Sequence, residues 1–591
     1  MLRIDASKLS LAEREATQEL IDEAMRRLPP EWRDSLDGGL TLEWRDDLPA
    51  QVHGRAKAQR LWLRRSLLED WMARPASAGV DDPATHAALF ALIHELAHFH
   101  DRSPQGHRSK GMLSRDPRLL DLAGWQVRPL HFGLRNTKNP FTDRTPDRYE
   151  LTDSKEFVAV NLEWFLLDPQ YACRRPALFR YFAEHFHWQP ATTECAPGQV
   201  FLQADPDFAK SGFEQIDPSR IYAVDYLLAE GNDETMSRWG HSMLRLVVCA
   251  PDRVPGPDCR LDLQYHRVLS FRAFIGDVQI SGWRGLTGRY PSRLFLLPLD
   301  QVIDEYTKTE LRGLQSIPLR LSSGEIAGLL ERAAQVHWSY DGRYYFIGNN
   351  CAVETWKLLH VGVPRLAAEP LRSITPVGLL HKLERAGVAD ASVLDDRDAA
   401  MRQGYYFEPM SARYQSMYDV ARASLALPQA KVESWLDLPP SARSAWLPKA
   451  DMRASAALLL LEEAALRREE LKARDAIKRQ LLEPEIAQRE RSAQARDAVQ
   501  EVLAREAMLV RPAALGEEGY GLPQQEREAL QARATELSMQ VKADWSHLHQ
   551  AARDGLPTAQ REALAGIEAN LAVLGRRLRD LNRAQGGLQL H

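Results

Sequence analysis

Apolar positions recur with helical spacing in some stretches of the chain and with strand-like spacing in others. A repeat of three to four residues predicts an amphipathic helix, and short leucine-rich and β-branched runs predict strands. The helices that we predict are 9–27, a helix from 81 onwards, 154–167, 323–337 and 351–360. The strands that we predict most clearly are 243–248, 267–271 and 293–298.

This pattern divides the chain into three parts and predicts an α+β multidomain fold. A length of 591 residues exceeds what one hydrophobic core usually supports. Residues 1–200 are expected to be mainly helical, and 201–425 to mix strands with helices. Residues 426–591 are rich in Ala, Leu, Glu and Arg with helical periodicity, which predicts a helical bundle or an antiparallel coiled coil.

Charge and hydropathy narrow the classes of partner. The net charge of −5 gives no general basic surface, so nucleic acid is not expected as a partner. No stretch approaches the ~20 consecutive apolar residues of a membrane span, so no transmembrane segment is expected. The predicted carboxy-terminal helices carry mixed charge, which is typical of helix faces exposed to solvent. These helices could also bind a protein partner.

The spacing of the cysteines helps to indicate the cellular compartment in which the protein folds. Four of the five form two close pairs along the chain, Cys173 with Cys195 and Cys249 with Cys259, and Cys351 has no neighbour. Two disulfides and one free thiol would explain this spacing and favour a periplasmic location. Five reduced cysteines in a cytoplasmic enzyme are the alternative, and the first residues, which lack the apolar core of a signal peptide, leave both compartments open.

Cys351 and His241 are candidate members of a thiol active site. Cys351 begins a predicted helix after Asn350, and a helix amino terminus together with a nearby imidazole lowers the pKa of a thiol. His241 would supply the imidazole from a predicted strand. The alternative is that the two residues have separate structural roles, since a lone Cys and a lone His occur together by chance in most chains.

Two segments around these residues resemble a known family. Residues 239–245 (WGHSMLR) and 349–355 (NNCAVET), with 268–272 (VLSFR) between them, are similar to the Lnb-type periplasmic-domain family, which has a permuted papain-like fold of the NlpC kind. The resemblance implies that Cys351 is the nucleophile of a hydrolase or acyltransferase and that His241 is its general base. Asn350 is then expected to orient the site or to bind the oxyanion.

A different motif, His94-Glu-Leu-Ala-His98, predicts a zinc site in the first part of the chain. Two histidines four residues apart on a helix present both imidazoles on one face, where they can bind one Zn²⁺. Glu95 beside them can accept a proton from a metal-bound water. Apolar Leu92, Ile93, Leu96 and Phe99 flank the motif, as a helix buried beside a cleft requires.

A catalytic zinc site needs a third protein ligand, and Glu156 on the next predicted helix is the candidate. Residues 154–165 (SKEFVAVNLEWF) resemble the third-ligand helix of MtfA-like gluzincin peptidases. That resemblance implies a zincin-like domain in which His94, His98 and Glu156 hold the metal. Glu163 is expected to orient a ligand or, alternatively, to form a structural salt bridge.

The function that we expect is processing of cell-envelope substrates by a zinc metallopeptidase site and a cysteine hydrolase or acyltransferase site. The substrate would be a protein, a lipoprotein or a peptidoglycan-linked molecule. Two alternatives remain. The thiol domain could be a recognition module for a metallopeptidase, or one or both sites could be relics in a non-catalytic envelope scaffold.

Overall fold

The fold is known from a computed structural model of the chain. Its described residues are 2–36, 39–49, 51–74, 86–103, 112–127, 134–139, 144–202, 212–231, 238–273, 290–339, 342–345, 348–482, 515 and 519–584. Over these residues the architecture is mixed α+β, as the sequence predicts, and helices dominate it. No helix among them is both long enough and apolar enough to cross a membrane.

The helices and strands have the following bounds. The helices are α1 (Leu11–Arg27), α2 (Pro30–Ser35), α3 (Arg65–Ala73), α4 (Ala87–Arg102), α5 (Pro117–Leu122), α6 (Ser154–Leu167), α7 (Tyr171–Arg174), α8 (Pro176–Phe186), α9 (Leu299–Ile303), α10 (Ser323–Ser339), α11 (Cys351–Gly362), α12 (Pro376–Arg385), α13 (Arg397–Arg402), α14 (Ser411–Leu425), α15 (Val432–Leu436), α16 (Pro440–Ser444), α17 (Met452–Leu482), α18 (Arg527–Gly555) and α19 (Thr558–Ala584). The strands are β1 (Arg3–Ile4), β2 (Thr41–Arg45), β3 (Gly54–Lys57), β4 (Arg60–Arg64), β5 (Gln199–Leu202), β6 (Phe213–Ile216), β7 (Ile221–Ala229), β8 (His241–Val248), β9 (Arg267–Ala273), β10 (Tyr290–Pro298), β11 (Leu314–Leu319), β12 (Gly342–Tyr344) and β13 (Tyr406–Phe407). The predicted helix start near 81 lies outside the described residues.

The chain forms two compact units. The first comprises Met1–Val200, Glu331–Arg343 and Arg511–Leu530, and the second comprises Phe201–Leu330, Tyr344–Val510 and Gln531–His591. The predicted division into 1–200, 201–425 and 426–591 stays a prediction.

The first unit contains a small sheet beside the helix of the histidine motif. Its strands lie in the order β1-β2-β4-β3, with β2 parallel to β1 and β4, and β3 antiparallel to β4. Alternate side chains of β2 and β4, among them Leu42, Trp44, Leu61 and Leu63, are buried in the core. Strand β3 and helix α4 are in contact, so the sheet supports the helix that carries the motif.

Helices α4 and α6 pack against each other in the same core. Leu92 and Leu96 of α4 are fully buried, as the apolar spacing around the motif predicts. Helix α6 begins after Asp153, whose carboxylate accepts hydrogen bonds from the amides of Lys155 and Glu156 at 2.7 and 3.1 Å. This N-cap fixes the first turn of α6 and therefore the position of Glu156.

Two later segments of the chain complete the first unit. Glu526 forms an ion pair with Arg174 at 2.8 Å, and Tyr520 is buried in the core of this unit. The indole of Trp338 donates to the carbonyl of Val200 at 2.7 Å. Residues from three distant parts of the sequence therefore share one core.

The second unit has an antiparallel sheet with the strand order β10-β9-β8-β7-β11-β13. Leu227, Met243 and Val268 belong to one buried cluster on one face of this sheet. Helix α11 contacts β8 and β9. After α14, the long helices α17 and α19 pack together around buried residues such as Leu461 and Leu574, which confirms the predicted helical carboxy-terminal region.

A charged network is buried within this sheet. Asp225 accepts two hydrogen bonds from Arg260, at 2.6 and 2.8 Å. Arg245 donates to Nδ1 of His266 at 2.9 Å, and Nε2 of His266 bonds the carbonyl of Cys259 at 2.8 Å. Burial, followed by the nearby positive charge of Arg245, lowers the pKa of His266 to about 4. The imidazole is therefore neutral at neutral pH.

The cysteines pair as the spacing predicts. Cys173 is bonded to Cys195 in the first unit and Cys249 to Cys259 in the second, with Cα–Cα distances of 5.2 and 4.6 Å. Cys351 is the free cysteine. Two disulfides are typical of proteins that fold in an oxidising compartment.

Candidate functional sites

His94 and His98 lie on one face of α4, as their spacing of four residues predicts. Their ring centroids are 4.9 Å apart. Neither side chain is fully enclosed, since His94 and His98 are 15% and 17% exposed. The two imidazoles are therefore paired at a position that solvent can reach.

Glu156 of α6 meets both histidines. Its Oε2 atom lies 3.1 Å from Nε2 of His94 and 3.2 Å from Nε2 of His98. The ligand atoms of the three residues all lie within 4.8 Å of one another, which makes them a candidate metal site. Burial alone would raise the pKa of Glu156, but hydrogen bonds from His94 and His98 outweigh it and bring the pKa to about 2.

Glu163, two turns further along α6, holds His94 from the other side. Its Oε1 atom is 2.5 Å from Nδ1 of His94. A carboxylate on Nδ1 leaves Nε2, the atom that faces Glu156, with a free lone pair. Glu163 therefore contacts His94, as both the orienting role and the salt-bridge alternative require.

Glu95 is buried next to the metal-ligand cluster, with 5% of its surface exposed. Gly54 of β3 lies directly against it, because a Cβ atom added at Gly54 would be 2.8 Å from both Cγ and Oε1 of Glu95. Burial raises the pKa of the Glu95 carboxyl. A carboxylate with a raised pKa is suited to accept and release a proton.

Tyr149 also faces this cluster, and no motif in the sequence singles it out. Its ring centroid is 6.1 Å from that of His94, and 51% of the residue is exposed. Burial of part of the phenol, together with the nearby Glu156 carboxylate, raises the pKa of Tyr149. An aromatic residue seven positions before a predicted ligand carries no chemical signal in the sequence.

Cys351 begins α11, as predicted, and Asn350 is the N-cap of that helix. The Asn350 side-chain oxygen accepts from the amides of Ala352 and Val353 at 3.1 and 3.3 Å. Its Nδ2 atom donates to the carbonyl of Ile374 at 2.9 Å. Asn350 therefore stabilises the start of the helix, while its predicted catalytic role stays a prediction.

The Cys351 thiol is enclosed by Ser242 and Tyr344. The amide of Cys351 donates to the Tyr344 hydroxyl at 3.3 Å, and the residue is 4% exposed. Burial raises the pKa of the thiol, even though contacts with Ser242 and Tyr344 lower it in part. The position of Cys351 at a helix amino terminus favours the thiolate form, whereas its burial favours the neutral thiol.

His241 forms its hydrogen bond with a residue other than Cys351. Its Nε2 atom is 3.1 Å from the hydroxyl of Ser270, and its ring stacks on Tyr306 at a centroid distance of 6.2 Å. Burial, followed by the positive charges nearby, lowers the pKa of His241 to about 3. Successive side chains of a strand point to opposite faces, so Ser242, which contacts the thiol, and His241 diverge. The pKa of the thiol thus responds to Ser242 and Tyr344, and the predicted pairing of His241 with Cys351 stays a prediction.

Comparisons with known proteins match two regions. Residues 207–386 match the family model of the Lnb N-terminal periplasmic domain. Residues 1–111 and 104–195 match the model of a domain of unknown function, DUF7844. No curated protein and no solved structure matches the chain.

The first of these matches supports the Lnb-type resemblance over the thiol region. A periplasmic domain of this kind indicates a cell-envelope protein. Together with the two disulfides, it points to an extracytoplasmic location and gives no support to the cytoplasmic alternative.

Proposed function

We propose that the first unit is a zinc-dependent peptidase of the cell envelope. The observation that supports this most strongly is the convergence of ligand atoms from His94, His98 and Glu156 within 4.8 Å. Glu95, which is on α4, lies next to these three residues. Two imidazoles and one carboxylate form the donor set of a catalytic zinc site, and a further carboxylate beside them can serve as its general base.

The three residues are of the types that bind zinc, and the contacts of Glu156 support a zinc-like spacing. Nitrogen and carboxylate oxygen ligands at ~2.0–2.2 Å around a tetrahedral ion are separated from one another by about 3.3 Å. The Oε2 atom of Glu156 is 3.1 and 3.2 Å from the two imidazole Nε2 atoms. Three protein ligands leave one position of the tetrahedron for water or substrate, as catalytic zinc sites require.

Zinc bound at these residues would supply a Lewis acid that polarises a peptide carbonyl and acidifies water. In our proposal Glu95 accepts the proton of the attacking water and passes it to the leaving amine. Tyr149 donates a hydrogen bond from its phenol to the substrate carbonyl oxygen. Glu163 keeps the His94 ring in place throughout, through its contact with Nδ1.

The second unit would then recognise the substrate. The match to a periplasmic domain over 207–386 supports an envelope substrate, and we propose a protein that is lipidated or linked to peptidoglycan. The enclosed thiol of Cys351 and the separate hydrogen bond of His241 support recognition more than catalysis at this position.

Acyl transfer or hydrolysis at Cys351 is a second candidate function. Two observations favour this function. Cys351 is free while the other four cysteines form disulfides, and it is the first residue of α11. It requires that Cys351 become accessible and that His241 or another base approach the sulfur. A measurement of thiol reactivity, described in the Discussion, separates it from the recognition function.

Cleavage of casein by the purified chain tests the peptidase proposal. We expect cleavage by the wild type that an added chelator abolishes. Glu95→Gln should reduce it by a factor of about 100 or more, because general base catalysis contributes 10²–10⁴. Glu69→Gln, an exposed glutamate of α3, is the matched control and should cleave like the wild type. Equal cleavage by Glu95→Gln would contradict the proposal.

A further inference from the structure

The turn that carries Tyr149 has one exposed and one buried side chain. This turn comprises Arg148–Leu151 and begins after Asp147, whose carboxylate accepts from the amide of Tyr149 at 2.8 Å. Tyr149 is 51% exposed and faces His94, whereas Glu150 is fully buried. Because Tyr149 and Glu150 are adjacent, whatever holds the Glu150 side chain also limits where the Tyr149 phenol can lie.

Arg175 holds the Glu150 carboxylate at both of its oxygens. The two terminal nitrogens of Arg175 donate to Oε1 and Oε2 of Glu150, each at 2.8 Å. Asn161 of α6 donates to the same Oε2 atom at 2.8 Å, and its own Oδ1 atom accepts from Arg175 at 2.6 Å. Asn161 lies between Glu156 and Glu163 on α6. The network therefore ties the turn to the helix that carries a candidate metal ligand.

Tyr520, from a distant segment of the chain, packs on Arg175. The guanidinium carbon of Arg175 lies 5.6 Å from the centroid of the Tyr520 ring, and Tyr520 is 4% exposed. The Tyr520 hydroxyl donates to a carboxylate oxygen of Asp168 at 2.5 Å, which fixes the ring. A cation over an aromatic face is attracted to it, and more strongly where both groups are removed from water. Arg175 is therefore held by Tyr520 as well as by Glu150 and Asn161.

We infer that Arg175 is a positioning residue that keeps the Tyr149 phenol beside the metal-ligand cluster. The inference rests on the peptidase function proposed above, in which Tyr149 donates to the substrate carbonyl. A buried ion pair adds little net stability, because desolvation of both charges offsets their attraction. A bidentate contact between an arginine and a carboxylate does fix their relative orientation. Control of position is therefore the effect that this network supports best.

Arg175→Lys tests this role, because lysine keeps the charge and loses the bidentate contact. We expect kcat for casein to fall about tenfold, since small displacements of a group that contacts the substrate are costly. The zinc content should be unchanged, because His94, His98 and Glu156 remain. Arg180→Lys, at an exposed position of α8, is the matched control and should cleave like the wild type. Full activity in Arg175→Lys would overturn the inference.

A double-mutant cycle separates the positioning of Tyr149 from a general loss of structure. In the Tyr149→Phe background the phenol hydroxyl is absent, so Arg175→Lys should reduce kcat by less than about twofold. A merely structural role of Arg175 would reduce kcat by the same factor in both backgrounds. Absence of cleavage by the wild type would overturn the peptidase proposal and the inference together, whereas equal losses in the two backgrounds would overturn the inference alone.

Hydrogen–deuterium exchange of the full chain tests the contact without any substrate. Peptides that cover residues 147–153 should exchange faster in Arg175→Lys than in the wild type, while peptides that cover α4 should be unchanged. Tyr520→Leu is a second variant that leaves the Arg175 and Glu150 side chains in place and covers misfolding of the first. It should also speed exchange at 147–153 and lower kcat about threefold, because the ring contact is lost. Exchange at the wild-type rate in both variants would overturn the inference.

Discussion

Nδ1 of His94 and Oε1 of Glu163 lie 2.5 Å apart, so one ligand of the candidate metal site is oriented by a carboxylate of the neighbouring helix. His94 is on α4, and Glu163 is on α6 with Glu156. Helix α6 therefore supplies both the candidate ligand Glu156 and the carboxylate of Glu163, which positions the candidate ligand His94. Such contacts fix the ring and the tautomer of a metal-binding histidine.

Removal of this contact should weaken metal binding without abolishing it. Glu163→Ala leaves Nδ1 of His94 without its carboxylate, and the loss of such a partner typically costs 10- to 100-fold in metal affinity. Competition with a zinc-binding dye on the wild type and the variant measures the change. Glu69→Gln should have no effect, and an unchanged affinity in Glu163→Ala would mean that the contact is only structural.

Gly54 limits the space beside Glu95. A methyl group at this position would meet Glu95 Cγ and Oε1 at 2.8 Å, so Gly54→Ala must displace the carboxylate. We expect peptidase activity to fall by about tenfold with the zinc content unchanged, because displacements of a catalytic group below 1 Å are already costly.

Gly324→Ala provides the control for that experiment. Gly324 has no atom within 4 Å of an added Cβ, so this variant should retain full activity. Equal activity in both alanine variants would show that Glu95 tolerates displacement and is not positioned for proton transfer.

The Cys351 thiol should react slowly. Burial raises its pKa and shields the sulfur, so alkylation of the native protein by iodoacetamide at pH 7 should be at least about tenfold slower than that of glutathione. Denaturation without reduction should bring the rate to that of a free thiol, with one cysteine labelled per chain. A native rate above that of glutathione would support the thiol-enzyme function instead.

Acid should destabilise the second unit through His266. The folded protein holds this imidazole neutral down to its pKa of about 4, while the unfolded chain protonates it near 6.5. The unfolded state therefore binds more protons between these values, and the free energy of unfolding falls as the pH drops from about 6.5 toward 4. A shift of this size corresponds to at most about 3.4 kcal/mol.

Urea unfolding of the wild type and of His266→Gln at pH 7 and pH 4.5 tests this contribution. Gln can accept from Arg245 but does not titrate, so the variant should lose less stability on acidification than the wild type does. His381→Gln, at an exposed position, should retain the wild-type dependence. The same acid sensitivity in His266→Gln and the wild type would show that other groups are responsible.

The sequence was sufficient for the local elements and for the histidine cluster. The period of apolar residues around His94 and the predicted helix 154–167 are local signals, and they place the candidate ligands on α4 and α6. The pairing of the cysteines also followed from short separations of 22 and 10 residues. The helices and the disulfides depend on residues close together in the chain, whereas the contact of Glu156 with His94 joins residues 62 positions apart.

The features that the sequence did not reveal depend on long-range packing. No local pattern in the sequence predicts that Glu526 and Trp338 belong to the first unit. Their places depend on contacts with residues that are distant in the sequence. The hydrogen bond of His241 to Ser270 depends on which face of β8 the imidazole occupies. The spacing of motifs indicates that two side chains belong to one region of the fold. It does not determine on which face of the sheet each side chain lies.

The metal content of the purified chain tests the central claim most directly. Elemental analysis should find about one zinc per wild-type chain, and both His98→Ala and Glu156→Ala should lose it, whereas Glu95→Gln should retain it. Absence of zinc from the wild type after growth and purification with added zinc, or equal zinc in the ligand variants, would contradict the proposed peptidase site.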